Sequence, residues 1–200
     1  MSSVIVGEDS MARCPWAAGS EEYRRYHDEE WGTTLRGDQA LFEKLSLEAF
    51  QAGLSWITIL KRRTGFREAF HDFTIDRVAA MTDADVESLM GDTRIIRNRS
   101  KILATISNAR IASEFVGSAP GALDSLMWSF APASSPQRES LGDVPAVTPE
   151  STALSSALRK LGFRFVGPTT MYALMQSTGM VDDHVVGCHR ARFGHASLNG

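Results

Sequence analysis

Cysteine is scarce in this chain: Cys14 and Cys188 are the only two among 200 residues, one near each end. That rules out a disulfide-stapled scaffold, and a bridge between the two is not expected in a reducing compartment. No apolar run is long enough to span a bilayer. The opening stretch 1–10 (MSSVIVGEDS) lacks both the basic start and the apolar middle of an export signal. The expectation is a cytoplasmic protein with no membrane partner. An excess of one charge is lacking too. The formal net charge of −3 neither draws the chain to nucleic acid nor bars a local basic patch. Internal repeats are absent, and the alternating pattern of strands never persists. With 43% hydrophobic and 22% charged residues, the composition is that of an ordinary globular protein with room for a sizeable core.

What is present is helical periodicity, and the expected class is all-α. Ser20 is placed to cap a helix whose first turn carries Glu21 and Glu22, where carboxylates favour the positive end of the dipole. Asp38 is expected to cap the next, with Leu41, Phe42, Leu45 and Ala49 on its apolar face and Gly53 as its break. Thr74 and Thr82 each begin a short helix, and Thr82 with Asp85 has capping-box spacing. Ile102, Ile106, Ala109 and Ile111 mark a longer one. Between 131 and 150 the Pro- and Ser-rich stretch holds no period and reads as a loop. Ser151 is expected to cap a helix that Gly162 stops, and Pro168 suits the first turn of the last one.

Three groups of residues bear on chemistry. His184 and Cys188 stand four apart, on one face of a helical turn, and Cys14 and His27 lie near the other end. Two sulfurs and two imidazoles would complete a tetrahedral zinc site with no open position. Neither pair has zinc-finger spacing, two unrelated thiols fit the pattern as well, and His189 and His195 are rival ligands. The second group is Gly162 to Gly167, a glycine-bounded turn leading into a helix start, with Arg159, Lys160 and Arg164 around it. Such a turn suits a phosphate oxygen, and equally an ordinary helical hairpin with a solvated basic face. Arg94, Arg97, Arg99 and Lys101 form a further basic cluster that reads as solvated. The third group surrounds Glu48, a carboxylate in the apolar run 47–56. Buried, it needs hydrogen-bond partners; alternatively Lys44, Glu48, Gln51 and Ser55 form a plain polar face. Tyr26, Trp31 and Trp56 suit a core as well as a base-stacking platform.

Taken in order, Arg13-Cys14-Pro15-Trp16, Tyr26-His27-Asp28-Glu29-Glu30-Trp31-Gly32, Leu41-Phe42-Glu43, 47–56, Ile95-Ile96-Arg97-Asn98-Arg99, Trp128-Ser129-Phe130, 161–167, Met175-Gln176 and Asp183-His184-Val185-Val186-Gly187-Cys188 resemble the 3-methyladenine DNA glycosylase I family. The resemblance implies a helix-hairpin-helix glycosylase fold, with the hairpin at about 151–178 and a structural zinc joining the terminal segments. By resemblance Cys14, His27, His184 and Cys188 are its ligands. Glu48 falls on the carboxylate that recognises the methylated adenine and is the catalytic candidate; Tyr26, Trp31 and Trp56 fall on the base pocket. Gly162, Arg164, Val166 and Gly167 fall on the DNA-binding hairpin. The implied partner is double-stranded DNA containing alkylated bases, and the implied reaction is hydrolysis leaving an abasic site, by a monomer. Residues 11–200 are expected as one domain and 1–10 as a disordered extension. Arg94 and Ser100 stand where the family has familiar glycines. Two readings compete with it: a protein that binds damaged DNA without cleaving it, and a zinc hydrolase, which would need an open metal position.

Overall fold

The computed structural model describes residues 4–192. His195, one of the rival ligands above, lies outside them, as do residues 1–3 of the extension. Ten α-helices are present among the described residues, with one two-stranded ladder. The fold is thus mostly helical, and no helix is long and apolar enough to cross a membrane. The chain forms two compact units: Met1–Thr34, Ala131–Ala146 and Met175–Gly200 make the first, Leu35–Phe130 and Val147–Leu174 the second. The stretch expected as one domain, 11–200, contributes to both.

In the first unit, β1 (Ile5–Val6) pairs antiparallel with β2 (Ala12–Arg13). The described part of the extension is therefore a hairpin and not a disordered tail. Its turn is held by Gly7 N–H to Met11 O at 3.0 Å and Ser10 N–H to Gly7 O at 3.0 Å. Two-residue strands are too short to leave a readable alternation. A 3-10 turn over Pro15–Gly19 leads into α1 (Glu21–Glu29), which Ser20 caps by accepting the Tyr23 N–H at 3.2 Å. The 131–146 stretch contains one short 3-10 turn, Leu141–Asp143, and acts as a strut. Arg138 bridges in parallel to Val185, and its Nε donates to Asp183 Oδ1 at 2.7 Å. Ser135 Oγ accepts the Asp182 N–H at 2.9 Å.

The second unit is built around α2 (Asp38–Gln51), in which Leu41, Phe42, Lys44, Leu45, Ser46, Leu47, Glu48, Ala49 and Phe50 are all buried. A helix buried all round belongs to the middle of a core. It is followed by α3 (Trp56–Leu60), α4 (Arg63–Ala69), α5 (Ile75–Ala79), α6 (Asp83–Gly91), α7 (Arg99–Ser118), α8 (Ala122–Trp128), α9 (Pro149–Lys160) and α10 (Pro168–Ser177), the last belonging to this unit through Leu174. Phe42, Phe50, Phe66, Phe70 and Phe73 are fully buried, with neighbouring ring centroids 4.6–6.4 Å apart.

Two expected caps are corrected. Asp38 opens α2 but does not cap it. Its carboxylate reaches across to α8, accepting the Gly121 N–H at 2.7 Å and the Asp124 N–H at 2.9 Å. Asp124 returns the bond by accepting the Gly37 N–H at 2.8 Å, so each helix start is capped by the other's aspartate. At α9 the cap is Thr148 and not Ser151: the Thr148 hydroxyl accepts the Ser151 N–H at 3.2 Å, and Ser151 Oγ accepts the Thr148 N–H at 2.9 Å. Pro149 then occupies the first helical position, where its missing N–H is no loss. Thr82 behaves as expected, its N–H donating to Asp85 Oδ2 at 2.7 Å. Neither Arg94 nor Ser100 has a positive φ, so glycine is not required at either place.

Candidate functional site

In the first unit the two ends of the sequence meet side chain to side chain. Cys14 Sγ, a ring nitrogen of His27 and Cys188 Sγ lie within 4.8 Å of one another, all buried. Cys188 Sγ is 3.3 Å from His27 Nε2. The sulfurs accept backbone amides, Val185 N–H on Cys14 at 3.4 Å and Arg190 N–H on Cys188 at 3.5 Å. No disulfide joins them. The two sulfurs interact, which pushes the Cys14 thiol far above its ordinary range and Cys188 below it, with His27 and the Arg190 amide adding to the fall at Cys188.

Both histidines are aimed by carboxylates. His27 Nδ1 is 2.8 Å from Asp28 Oδ1, and His184 Nδ1 is 2.7 Å from Asp182 Oδ1. Burial raises both aspartates, but their hydrogen bonds bring them net below the ordinary carboxylate value: those from Arg13 and His27 for Asp28, those from His184 and the Arg192 amide for Asp182. A carboxylate on Nδ1 leaves Nε2 as the ligating nitrogen, the usual support of a metal-bound imidazole. His184 Nε2 is buried without a hydrogen-bond partner among the described residues. It is not one of the three donors that share the 4.8 Å cluster, although its ring centroid is 5.1 Å from that of His27. The rival His189 has Nδ1 2.9 Å from Ala12 O and Nε2 3.5 Å from Asp28, and with His27 and Asp28 it makes a second group of donors within 4.8 Å of one another. Two sulfurs and two carboxylate-oriented imidazoles, one with an orphaned nitrogen, suit a borderline-soft divalent cation.

The shell of this cluster includes residues that the motifs alone did not single out. Arg13, buried, forks between Asp28 (Nη2 to Oδ2, 2.7 Å) and Asp9 (Nη2 to Oδ2, 2.6 Å). Val4 and Trp16 pack against Cys14, Val185, Cys188 and Ala191. Gly32 has φ +74, and a Cβ there would lie 2.6 Å from the His184 ring, so only glycine allows that imidazole its place. An aspartate next to His27 and another two residues before His184 were the available signals. Tyr26 and Trp31 belong to the same unit. Trp31 meets the His184 ring edge-on at 4.6 Å, and Trp16 lies 5.1 Å from Trp31 and 6.4 Å from Tyr26.

In the second unit, Glu48 is 4% exposed and Lys44, one turn earlier, 7%. The plain polar face is therefore not what α2 presents; its carboxylate and ammonium are both inside. Lys44 Nζ sits 5.4 Å from the centroid of the Trp56 ring. In the second basic cluster Arg94, Arg97 and Arg99 are exposed, as a solvated patch requires, and Lys101 is the exception. Arg94 pairs with Asp92 and Glu68, Arg99 with Glu87, and Lys101 is buried. Gly162, Arg164, Val166 and Gly167 lie in the turn between α9 and α10. Gly162 has φ +98, and Phe165 also takes the left-handed region at φ +57. Arg159, Lys160 and Arg164 are exposed there.

The model of the methyladenine glycosylase family matches residues 16–191. DNA-3-methyladenine glycosylase 1 of Escherichia coli K12 is 46% identical over 180 residues, covering 89% of this chain and 96% of the relative. A crystal structure of 3-methyladenine DNA glycosylase I superposes with a TM-score of 0.86 at 45% identity, covering 90% of this chain and 99% of the other. A Staphylococcus aureus 3-methyladenine DNA glycosylase I, solved for its recognition of 3-methyladenine, superposes with a TM-score of 0.83 at 34% identity, covering 88% and 95%.

Proposed function

The chain belongs to the methyladenine glycosylase family, and from that premise we propose how its residues divide the work of excising 3-methyladenine from alkylated DNA. The activity is hydrolysis of the N-glycosidic bond, leaving an abasic site. One observation carries the assignment of the chemistry: an acidic side chain, Glu48, is only 4% exposed inside the most buried helix of the second unit. A carboxylate buried in this way is held by partners of its own or kept for a functional contact, and recognition of the base is the role we assign to it.

Methylation at N3 leaves the adenine cationic, and its glycosidic bond is already weak, so the demand for acid catalysis is small. The damaged nucleotide leaves the stack at a cost of roughly a few kcal/mol. Ionised Glu48 then accepts hydrogen bonds from the base edge and favours its positive charge. Tyr26, Trp31 and Trp56 are assigned to stacking and cation–π attraction, about 1–2 kcal/mol per contact when desolvated. The hairpin at Gly162, Arg164, Val166 and Gly167 is assigned to the phosphates of double-stranded DNA, as a helix-hairpin-helix motif would be; its left-handed backbone and exposed cations support this.

A structural zinc is part of the reading, held by Cys14, His27, His184 and Cys188. The donor chemistry and the orphaned His184 nitrogen support it. With four protein ligands the ion would hold the first unit together and take no part in hydrolysis. Two unbridged thiols accord with the reducing cytoplasm, where we place the protein as a monomer.

The test is release of 3-methyladenine from methylated duplex DNA. Glu48→Gln is expected to lower single-turnover release about 10²–10³-fold, the scale for removing one key electrostatic contact, with the melting temperature unchanged. Near wild-type release by that variant would defeat the assignment. Wild-type protein that retains damaged DNA without releasing base would replace excision by binding.

A further inference from the structure

The longest helix of the second unit, α7, has 20 residues and directs two buried polar side chains at the backbone of other elements. Lys101, 7% exposed, donates from Nζ to the carbonyls of Phe50 at 2.8 Å and Ala52 at 2.6 Å. These carbonyls belong to the last turn and C-cap of α2, where a helix leaves acceptors unpaired and its dipole is negative. The ammonium thus finds its compensation in a helix end, and burial pushes its pKa below the ordinary lysine value. Glu48 lies two residues before Phe50, and the turn leading to Trp56 begins at Ala52.

Asn108 follows seven residues later. Seven residues are about two helical turns, so it shares a face with Lys101 and lies about 10 Å further along the axis. Its amide, 1% exposed, spans Arg164 in the hairpin: Nδ2 donates to Arg164 O at 3.0 Å and Oδ1 accepts the Arg164 N–H at 2.8 Å. Gly162 approaches the same helix so closely that a Cβ would lie 3.1 Å from Ile111 Cδ1. From α9, Ser155 Oγ donates to Val166 O at 2.6 Å, completing the fixation of the turn.

We propose that Lys101 and Asn108 are positioning residues, through which α7 sets the end of the Glu48 helix and the DNA-contacting hairpin at a fixed spacing. The proposal rests on the roles given above to Glu48 and the hairpin. Neither side chain touches base or phosphate; each acts through backbone that it holds. The two therefore control different steps. Asn108 governs how well the hairpin is preformed, which is a matter of DNA affinity. Lys101 governs where Glu48 sits against the extruded base, which is a matter of rate once DNA is bound; a misplacement near 1 Å costs about a hundredfold.

The experiment is steady-state and single-turnover base release by the full chain, with undamaged duplex affinity measured in parallel. Asn108→Ala is expected to raise KM and duplex Kd about tenfold with kcat retained, as loss of binding common to ground and transition states requires. Asn108→Asp keeps the acceptor for the Arg164 N–H but sets a carboxylate oxygen against Arg164 O, and should lose duplex affinity at least as far as Asn108→Ala. Lys101→Met is expected to lower kcat about tenfold or more with duplex Kd retained. It should also weaken binding of free 3-methyladenine, read by tryptophan fluorescence. Thr105→Val provides the control. Thr105 is buried on the same helix, and its hydroxyl donates to the carbonyl of Lys101 at 3.0 Å, a bond internal to α7. It should change the melting temperature and leave both kinetic constants alone.

If Lys101→Met does not fold, Lys101→Arg is read in its place, with the same split expected at smaller amplitude. The proposal is overturned if both variants lose kcat and affinity together in proportion to lost stability, or if neither constant moves. Its failure is distinct from failure of the parent reading. An inactive wild type or an active Glu48→Gln protein removes the role of Glu48, whereas the Asn108 effect on duplex affinity is read with undamaged DNA and needs no cleavage.

Discussion

The two units are stabilised by different means. The second is a helical unit around five buried phenylalanines, and its inward-turned polar groups are dispersed: half-buried Asp38 and buried Asp124 at two helix starts, Lys101 at a helix finish, Asn108 at the hairpin, Lys44 and Glu48 within α2. The first unit is gathered from three separated stretches. Its cluster of Cys14, Val185, Cys188 and Ala191 is small, and its polar groups converge: Asp9 and Asp28 on Arg13, Asp28 on His27, Asp182 on His184. Small units of this kind are commonly stapled by metal or disulfide. The difference teaches where the molecule is vulnerable. Damage to the second unit should be graded by volume lost, and damage to the first should be cooperative around one cluster.

The largest expected effect follows from removing the staple. Cys14→Ala, or chelation of wild-type protein, takes away the ion that the first unit is proposed to need; structural zinc sites in small peptides are worth about 10 kcal/mol. Metal analysis should give one zinc per wild-type chain and none per variant. Amide hydrogen exchange should rise in 4–34, 131–146 and 175–192, while α2 and α7 keep their protection. Metal-free wild-type protein with undiminished protection in the first unit would erase the contrast between the units.

The same contrast explains what could be read from the chain alone. Ser20, the Thr82–Asp85 box, Gly162 and Pro168 act within a few residues of themselves, and the sequence discloses such signals directly. Asp38 misleads because its partners lie more than eighty positions away, although its place before an apolar run is that of a cap. Ser151 competes with Thr148 as a cap, and the intervening Pro149 is the signal that separates them. The burial of Glu48 is not legible from periodicity, because a helix surrounded on all sides carries no amphipathic stripe. In the first unit almost nothing is local. Cys14 and Cys188 become partners only when the chain ends meet, so the ordered family motifs, and not spacing, point to them. The carboxylates on His27 and His184 were nevertheless in plain sequence view as near neighbours.

A cavity in the second unit tests whether its damage is graded. Phe70 is fully buried, with its ring centroid 5.6 Å from Phe73, 5.8 Å from Phe50 and 6.4 Å from Phe66. Phe70→Ala should cost about 3–5 kcal/mol in urea denaturation, the range for buried aromatic truncation. Zinc content should stay at the wild-type value. Loss of zinc together with stability would mean that the two units share one cooperative network and that the division drawn between them is not energetic.

The smallest effect concerns the dispersed polar groups, for which pH is the probe. Burial raises the Asp124 carboxyl, but the Arg36 bond, the Gly37 N–H and the Arg36 charge together hold it below its ordinary value. A carboxylate lowered on folding contributes stability that is complete above its unfolded pKa and is lost as pH falls through the folded one. Asp124→Asn keeps an acceptor for Gly37 while removing the charge that faces Arg36. It should cost about 1 kcal/mol at pH 7, the usual worth of a helix cap. Because both proteins are uncharged at that position in strong acid, the gap between their urea midpoints should narrow below about pH 4. A gap that stays constant into acid would show that Asp124 acts by shape and hydrogen bonding alone. A loss of several kcal/mol would make it part of a convergent network, and the second unit would then resemble the first.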